Sequence, residues 1–184
     1  MGRSARDRWL FCAVSLLLLL LAVEYRPTIY GNSPEEIARY LRWEMAGRET
    51  GPIELLAVED DGIDRFAVFR GAQQEPDDRW VIRFRQNENG DYEAYLDPRR
   101  MYGPYPAGGV YTEPLRGYSG DREVCYVIWN ESEKLAEVRF RLDYGPVECV
   151  PILKPPSLTV WRFQGGVDGW HLETSYFDGA GNEL

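Results

Sequence analysis

Histidine, lysine and cysteine are scarce in this sequence. Its 184 residues include one histidine (His171), two lysines (Lys134 and Lys154) and three cysteines. One histidine and widely separated cysteines do not give the ligand spacing of a zinc site, and they give nucleophilic catalysis little support. The serine in residues 117–120, Gly-Tyr-Ser-Gly, also lacks the G-x-S-x-G spacing of a nucleophile elbow. We therefore expect no metal, no cofactor and no catalytic residues, and we predict that the protein is not an enzyme.

Basic residues are also outnumbered. The chain carries 21 lysines and arginines against 30 aspartates and glutamates, for a net charge of −9. The first 23 residues hold three of the arginines and one of the aspartates, so the rest of the chain has 18 basic and 29 acidic residues. A nucleic-acid partner requires a basic face, and a broad contact with anionic lipid headgroups requires one too. The charge therefore argues against both partners and indicates a well-solvated surface.

The sequence contains one long apolar stretch, residues 9–23, which read WLFCAVSLLLLLLAV. It runs from Trp9 to Val23 around six consecutive leucines, Leu16 to Leu21, and three arginines precede it. As a helix it rises about 22 Å, against a hydrocarbon core of ~30 Å. The arginines hold the N-terminus in the cytoplasm. We expect a signal anchor that spans the cell membrane once and leaves the rest of the chain extracytoplasmic.

A cleaved signal peptide is the alternative reading of the same stretch. Cleavage requires small residues at the last and third-last positions of the leader. Residues 22–24 read Ala-Val-Glu and meet this requirement poorly. The pattern therefore favours an uncleaved anchor, with secretion after cleavage as the alternative.

A capping box opens the segment that follows. In residues 32–36, Asn-Ser-Pro-Glu-Glu, Ser33 suits the N-cap, Pro34 suits the first helical position, and Glu36 completes the box. Apolar residues then recur at helical spacing as far as Met45. This pattern predicts an amphipathic helix that lies on a sheet.

Two β-hairpins are predicted after this helix. Their turns are Asp-Asp-Gly at residues 60–62 and Asn-Gly at residues 89–90. Asp-Gly and Asn-Gly are both favoured in the turns of β-hairpins. Within the third strand Arg83 and Arg85 share one face, because alternate residues of a strand point to the same side. The predicted strands are 53–59, 63–70, 79–86 and 91–96.

Proline, glycine and tyrosine dominate residues 98–121, which include four prolines, five glycines and four tyrosines. Such residues disfavour regular structure, and a loop of this length in a compact fold tends to be functional. Tyrosine and arginine are frequent in binding hot spots. The alternative is that the tyrosines cover the seam between two sheets. The predicted partner-binding residues are Arg99, Arg100, Tyr102, Tyr105, Tyr111 and Arg116.

Five further strands are predicted in residues 122–184. They lie at 123–130, 136–144, 147–153, 158–163 and 170–177. If the first three form a meander, Cys125 and Cys149 are two strand spacings apart, beyond the ~7 Å between Cα atoms that a disulfide tolerates. A bridge requires a different strand order, and the sequence leaves both states open.

Carboxylates are concentrated in two places, a hairpin turn with Glu59, Asp60, Asp61 and Asp64, and the loop at residues 75–78. Neither group has the spacing of an EF-hand loop, so we interpret both as solvated turns. An acid pair of the glycosidase type can be assembled from distant strand ends without any sequence signature. An enzyme therefore stays among the alternatives.

Two short motifs carry a resemblance to known proteins. The Asn-Gly-Asp-Tyr hairpin at residues 89–92 and the ending Phe-Asp-x-x-Gly-Asn-Glu-Leu at residues 177–184 resemble features of uncharacterised membrane-anchored extracytoplasmic proteins of Gram-positive bacteria. The likeness is one of layout and turn dipeptides across residues 9–184. It implies the topology predicted above and transfers no catalytic residue.

Together these patterns predict an α+β fold. An N-terminal transmembrane helix precedes one amphipathic helix on an antiparallel sheet and a second, mostly antiparallel β unit of five strands. The predicted divisions are 1–26, 27–97, 98–121 and 122–184.

The predicted function is that of a non-catalytic interaction module at the cell surface. It would contact the membrane through residues 9–23 and bind a protein or a cell-wall polymer through the 98–121 loop. One alternative is a carboxylate-dependent hydrolase acting on cell-wall glycan, and another is a structural accessory subunit of a membrane complex.

Overall fold

The computed structural model describes residues 9, 13–16, 29–46, 52–71, 78–105, 108–117, 122–165 and 170–184. Of these, 51% lie in strands and 11% in helices, so the fold is mostly β. The predicted α+β class is therefore wrong. Within the described ranges one amphipathic helix covers one sheet, and the remaining layers are all built of strands.

The predicted transmembrane helix is also corrected. The described residues contain no helix with both the length and the apolar character needed to cross a bilayer. This finding contradicts the predicted single-pass anchoring in the cell membrane, and a fifteen-residue helix of about 22 Å is indeed short for a ~30 Å hydrocarbon core. Of the four residues assigned to the span, Trp9 and Leu16 are exposed. Leu21 and Val23 lie outside the described residues.

Helix α1 spans Pro34–Glu44 and begins as the capping box predicts. The Ser33 hydroxyl accepts a hydrogen bond from the Glu36 N–H at 3.3 Å. The Glu36 carboxylate in turn accepts one from the Asn32 N–H at 3.2 Å. Because both bonds satisfy donors that a helix start or its flank leaves open, they define where the helix begins. Its apolar stripe, with Leu41 fully buried, faces the first sheet.

The first sheet is antiparallel and confirms both predicted hairpins. Its order is β1-β2-β3-β4, and β5 pairs with β3 beyond β4. Its strands are β1 (Ile53–Asp61), β2 (Asp64–Gly71), β3 (Trp80–Gln86), β4 (Tyr92–Ala94) and β5 (Arg99–Arg100).

Six more strands form two three-stranded antiparallel sheets. They are β6 (Val110–Arg116), β7 (Glu123–Asn130), β8 (Glu137–Leu142), β9 (Val147–Pro151), β10 (Ser157–Gln164) and β11 (Leu172–Phe177). The central sheet has the order β10-β7-β6, and the outer sheet has the order β11-β8-β9. All five strands predicted in residues 122–184 are therefore present, but they are divided between two sheets.

The helix and the three sheets stack as four layers. In β3, Ile82 faces α1 and its neighbour Val81 faces the central sheet. In β7, Val127 packs against the first sheet and Ile128 packs against the outer sheet, where it shares a cluster with Phe140. Because successive residues of a strand point to opposite faces, β7 has an apolar partner on both sides and is buried along almost its whole length.

Strand β6 lies in the segment that the sequence predicts to be irregular. It pairs with β7 although it contains Pro114. Thr112 exchanges backbone hydrogen bonds with Tyr102, on the side away from β7. Hydrogen-bonding direction alternates along a strand, so Pro114 also directs its missing donor away from β7. A proline is tolerated at such a position because the ladder to β7 loses no hydrogen bond.

The two cysteines of the strand-rich region are both free. Cys125 lies buried in β7, between the first and central sheets, and Cys149 is exposed in β9 of the outer sheet. The division of the strands between two sheets separates the thiols, and no disulfide joins them.

Residues 178–184 fold back on β11. The Leu184 N–H donates to the Tyr176 carbonyl at 2.9 Å, and Phe177 forms an isolated bridge with Glu183. Asp178 accepts hydrogen bonds from two backbone N–H groups of the turn, which hold this segment in place. One end of the outer side of β11 is therefore already paired within the chain.

We expect the stacked core to dominate stability. Ile128→Ala should lower the free energy of unfolding by about 2–5 kcal/mol, because it opens a cavity in a closed cluster. Ile63→Ala is the matched control, since Ile63 is 56% exposed, and it should change stability by roughly 0.5 kcal/mol or less. Urea unfolding of both variants measures the difference. Equal losses would contradict the layer assignment.

Candidate functional site

A charge cluster lies between the first and central sheets. It consists of Asp61, Asp64, Arg83, Arg85, Glu123 and Arg162. In β2 and β3, the residues that alternate with the helix-facing apolar residues point at the central sheet. Near one end of these strands those positions are occupied by charged residues instead of the Phe66 and Val81 that lie deeper. Glu123 and Arg162 complete the cluster from the facing strands β7 and β10.

Arg83 and Asp64 are the innermost members of this charge cluster. Asp64 is 1% exposed and Arg83 is fully buried. Nη2 of Arg83 lies 2.7 Å from Oδ2 of Asp64 and 2.7 Å from Oε2 of Glu123. Arg162 contacts the same two carboxylate oxygens at 2.9 and 3.0 Å, and Arg85 reaches Oδ1 of Asp64 at 3.0 Å. Two carboxylates are thus shared among three guanidinium groups.

Aromatic rings line the charge cluster. The guanidinium carbon of Arg85 is 3.9 Å from the centroid of the Tyr95 ring, and that of Arg83 is 4.9 Å from the same ring. Phe66 lies 5.9 Å from both Arg83 and Arg162. Cation–π attraction therefore adds to the ion pairs of the charge cluster.

The arginines keep the buried carboxylates ionised. Burial by itself raises the pKa of Asp64, but hydrogen bonds from Arg83, Arg85 and Arg162 outweigh it and hold this pKa below 3.8. Burial and hydrogen bonding compete in the same way at Glu123, whose pKa is held below 4.5. Two nitrogens of Arg83, Nε and Nη1, have no hydrogen-bond partner within the described part of the chain.

The charge cluster has the character of a structural site. A general acid near neutral pH needs a raised pKa, and both carboxylates have lowered ones. The Cys125 thiol lies beside them, and burial raises its pKa to about 11, so it is not a thiolate nucleophile. One ligand atom each of Asp64, Glu123 and Cys125 lie within 4.8 Å of one another. The neighbouring guanidinium groups already neutralise this set, which disfavours a metal cation.

Glu113, in β6, is half-buried, and the Oε2 atom of its carboxyl group is buried. Burial raises its pKa to about 7, and the positive charge of Arg99 only partly opposes this effect. Its Oε2 atom has no hydrogen-bond partner among the described residues. The carboxyl group therefore takes up a proton near neutral pH rather than remaining charged and unsolvated.

The structure disperses the six residues predicted to bind a partner. Tyr111 is 3% exposed in the core between the first and central sheets. Tyr105 stacks on Tyr176 with ring centroids 5.1 Å apart, so both tyrosines cover seams between sheets, as the alternative reading proposes. Arg116 lies over the Trp170 ring at 4.8 Å.

Three of the six residues remain on one surface. Arg99 and Arg100 form the exposed strand β5, and Tyr102 is 65% exposed beside them. Arg100 is paired with Asp78. Arg100 and Tyr102 border a concavity of about 360 Å³ together with Met101 and Gly103. Partner binding at this concavity stays a prediction.

The free side of β9 is a second exposed surface. The Ile152 N–H donates to the Ala136 carbonyl, and the ladder pairs Val150 with Val138 and Glu148 with Phe140. Because antiparallel ladders alternate, Glu148 and Val150 turn their backbone groups toward β8. The residues between them turn theirs to the open side. No described strand pairs with β9 there.

Apolar side chains are concentrated along this free side. Tyr144 is 80% exposed, Leu153 is 70% exposed and Val147 is 45% exposed. We call β9 with these flanking residues the β9 edge. Beside it the outer face of the sheet forms a groove of about 410 Å³, lined by Arg139, Cys149 and others of β8, β9 and β11.

Tyr144 occupies a strained turn at the start of the β9 edge. The Gly145 N–H donates to the Leu142 carbonyl at 2.8 Å, and Asp143 and Tyr144 between them both have positive φ, 47° and 60°. This is a type I′ turn, whose central positions favour glycine and asparagine. A tyrosine there costs strain, and its ring is directed to solvent, stacked on His171 at 5.5 Å.

Sequence reasoning missed the charge cluster and the β9 edge for identifiable reasons. It placed Arg83 and Arg85 on one face of a strand but had no means of finding the acids that face them from β7 and β2. The sequence signal for a buried ion pair is the placement of Arg83 and Arg85 at alternate positions after Val81, on the face that Val81 shares. For the β9 edge the only signal is the exposed aromatic in a turn that usually holds glycine.

Comparison of the chain with protein-family models, with curated proteins and with solved structures finds no match. The resemblance to membrane-anchored proteins of Gram-positive bacteria therefore stays a prediction for the two motifs that carry it.

Removal of one acid from the charge cluster should be costly. Asp64→Asn leaves buried guanidinium charge without its partner, so it should lower the free energy of unfolding by about 3–5 kcal/mol. Asp60→Asn is the matched control, because the Asp60 side chain in the Asp60–Arg65 ion pair is 49% exposed. This substitution should lower the free energy of unfolding by about 1 kcal/mol or less. Urea unfolding at pH 7 compares the two variants.

Low pH should weaken the ion pairs of the charge cluster. Asp64 and Glu123 bind protons less tightly in the folded chain than in the unfolded chain, so their stabilisation is complete above their ordinary pKa values near 4. It is lost as the pH falls through the lowered folded values. The stability of the parent protein should therefore fall more steeply below pH 4 than that of Asp64→Asn. Parallel profiles would contradict the charge cluster as the acid-labile element.

Glu113 should produce the opposite pH dependence. Its folded pKa is raised to about 7, so it destabilises the fold progressively as the pH rises from 4.5 to 7. Glu113→Gln removes this charge and should raise Tm at pH 8 by roughly 2–4 °C, which is about 1 kcal/mol for a chain of this size. At pH 4.5 the two proteins should melt within a degree or so of each other. A gain of equal size at both pH values would contradict the assignment.

Proposed function

We propose that the protein is a non-catalytic protein-binding module that takes up an extended segment of a partner as an added strand along the β9 edge. The open ladder of β9 is the observation that carries this function. Exposed strand edges present unpaired N–H and C=O groups and recruit further strands unless charge, proline or a covering element protects them. Backbone pairing of this kind supplies affinity, and pockets for alternate side chains supply specificity.

The exposed apolar residues support binding rather than simple solvation. Val147, Leu153 and Tyr144 border one edge within about ten residues, and each is at least 45% exposed. Natural edges usually carry lysine, other charged residues or an early proline. Here Pro151 removes one donor at the far end of the strand, Pro146 precedes it and Glu148 is the one charged residue within it. Among the described residues no other strand covers the open ladder.

Tyr144 gives a second line of support. Retaining a tyrosine where a turn favours glycine lowers stability without improving the core. Tyrosine is enriched in binding hot spots because its large ring loses little conformational entropy on contact. A strained, 80% exposed tyrosine beside an open strand edge is consistent with a role in binding.

The acid–base groups of the charge cluster, with Cys125 and Glu113, do not support an enzyme. The carboxylates of the charge cluster are held ionised by arginines, and the adjacent thiol has a raised pKa. Glu113 has a suitable pKa but no hydrogen-bond partner at its buried oxygen among the described residues. Binding is therefore the function that these side chains favour.

A peptide selection tests the proposal. A displayed library of nine-residue peptides with apolar residues at alternate positions should yield binders of the full-length protein. Their affinity should fall at least tenfold in the double variant Val147→Lys, Leu153→Lys, because lysines at an edge oppose strand addition. Tyr144→Gly should also weaken binding while its Tm is equal to or above that of the parent protein, since it relieves a positive φ.

Two controls give this measurement its meaning. Ile63→Lys places the same charge at another exposed apolar residue and should leave peptide affinity unchanged. N-methylation of alternate peptide residues should abolish binding, because strand addition depends on hydrogen bonds to the peptide backbone. Binders that are insensitive to the β9 variants but lost in Tyr102→Ala would overturn the proposal and assign binding to the concavity beside Arg100.

A further inference from the structure

We infer that a second copy of this chain is a partner that the β9 edge accepts, through antiparallel pairing of β9 with β9 about a two-fold axis at Cys149. This inference rests on the proposed function, since it requires the edge to accept an added strand. It goes further by naming the partner and the register. The result would be a continuous six-stranded sheet formed from two outer sheets.

The open side of β9 presents a short and defined set of backbone groups. Val147, Cys149 and Pro151 direct their backbone outward, because Glu148 and Val150 are paired toward β8. Proline has no N–H, so the edge offers two donors and three acceptors. A partner strand must match this pattern to leave no donor unpaired.

Pairing about Cys149 matches both donors. Each copy donates its Cys149 N–H to the partner's Cys149 carbonyl and its Val147 N–H to the partner's Pro151 carbonyl. This makes four intermolecular hydrogen bonds in all. Because Pro151 has no N–H, the Val147 carbonyl of each copy is left without a donor. An unsatisfied carbonyl at a solvent-exposed edge has water available and costs little.

The neighbouring registers are less favourable. An axis at Glu148 also forms four hydrogen bonds, but it places Glu148 directly opposite its own copy, and like charges in that position are destabilising. An axis at Val150 would need the Leu153 carbonyl as an acceptor. That carbonyl already accepts from the Ser157 hydroxyl at 2.9 Å and from the Asn130 amide at 3.3 Å.

The favoured register also suits the side chains. It sets the apolar Val147 against the partner's Pro151, and Glu148 against the partner's Val150, so no like charges meet. The exposed Leu153 falls opposite the partner's Gly145, which offers no side chain to obstruct it. Val147 and Leu153 of the β9 edge thus find uncharged neighbours in a second copy.

The two Cys149 side chains lie on the same face at the axis and report the register. Directly opposed residues of a hydrogen-bonded antiparallel pair have Cα atoms about 5.5 Å apart, within the range of a disulfide. Oxidised glutathione can therefore link the copies. Two Cys149 thiols and one glutathione disulfide give one intermolecular disulfide and two glutathione thiols, with the protons transferred to the released thiolates.

The test uses the 184-residue chain with Cys12→Ser, which leaves two cysteines, the buried Cys125 and the exposed Cys149. Sedimentation equilibrium should show a monomer–dimer equilibrium whose dissociation constant rises at least tenfold in Val147→Lys, Leu153→Lys, with Ile63→Lys unchanged. Oxidised glutathione should convert the dimer to a disulfide-linked species on non-reducing gels. Cys149→Ser should abolish the link while the dimer persists in sedimentation.

A moved cysteine tests the register itself. In the variant Val147→Cys, Cys149→Ser the two thiols lie about 14 Å apart, four residues along the strand, and should not form a link. Linkage of this variant, or a purely monomeric protein that gives only a glutathione adduct, would overturn the inference. A monomer that still binds the alternating peptides through the β9 edge would leave the proposed function standing, whereas loss of both would overturn both.

Discussion

The burial of β7 on both faces is the constraint on which the rest of the structure depends. A strand whose six central residues, Val124–Trp129, are all apolar needs cover on two sides, and the chain supplies it with two sheets rather than with helices. This explains why β8, the next strand in sequence, does not pair with β7 and instead starts a separate layer. It also explains why the first sheet carries α1 on its far side, because its inner face is already occupied.

The charge cluster marks where this apolar packing gives way to polar contacts. Buried ion pairs contribute little net stability relative to apolar residues of similar size, but they are costly to break singly. Three arginines that share two acids define how the first sheet meets the central sheet, because a sliding or rotated arrangement would leave buried charge unpaired. Nε and Nη1 of Arg83 have no hydrogen-bond partner among the described residues, and a buried donor without a partner costs free energy.

Local patterns predicted the elements much better than their assembly. The capping box at Ser33, the Asn89-Gly90 hairpin and the strand predicted at residues 136–144 depend on neighbouring residues, and each is present in the structure. The sheet assignment depends on contacts between distant residues, so one predicted five-stranded unit became parts of two sheets. Strand β6 was missed because Pro114 disfavours a strand in general but not where its ladder side is unaffected. The burial of Tyr111 could not be predicted from local sequence for the same reason, since it is decided by packing against a distant strand.

The pairing of residues 178–184 with β11 has a consequence for how the chain can associate. An outer sheet with two open sides could add copies at both, and such head-to-tail addition builds filaments. Here the backbone of Tyr176 is already engaged by Leu184, so one end of that side is occupied by the chain itself. In the inferred dimer, pairing at β9 about a two-fold axis closes on itself, and such an arrangement has a finite number of subunits.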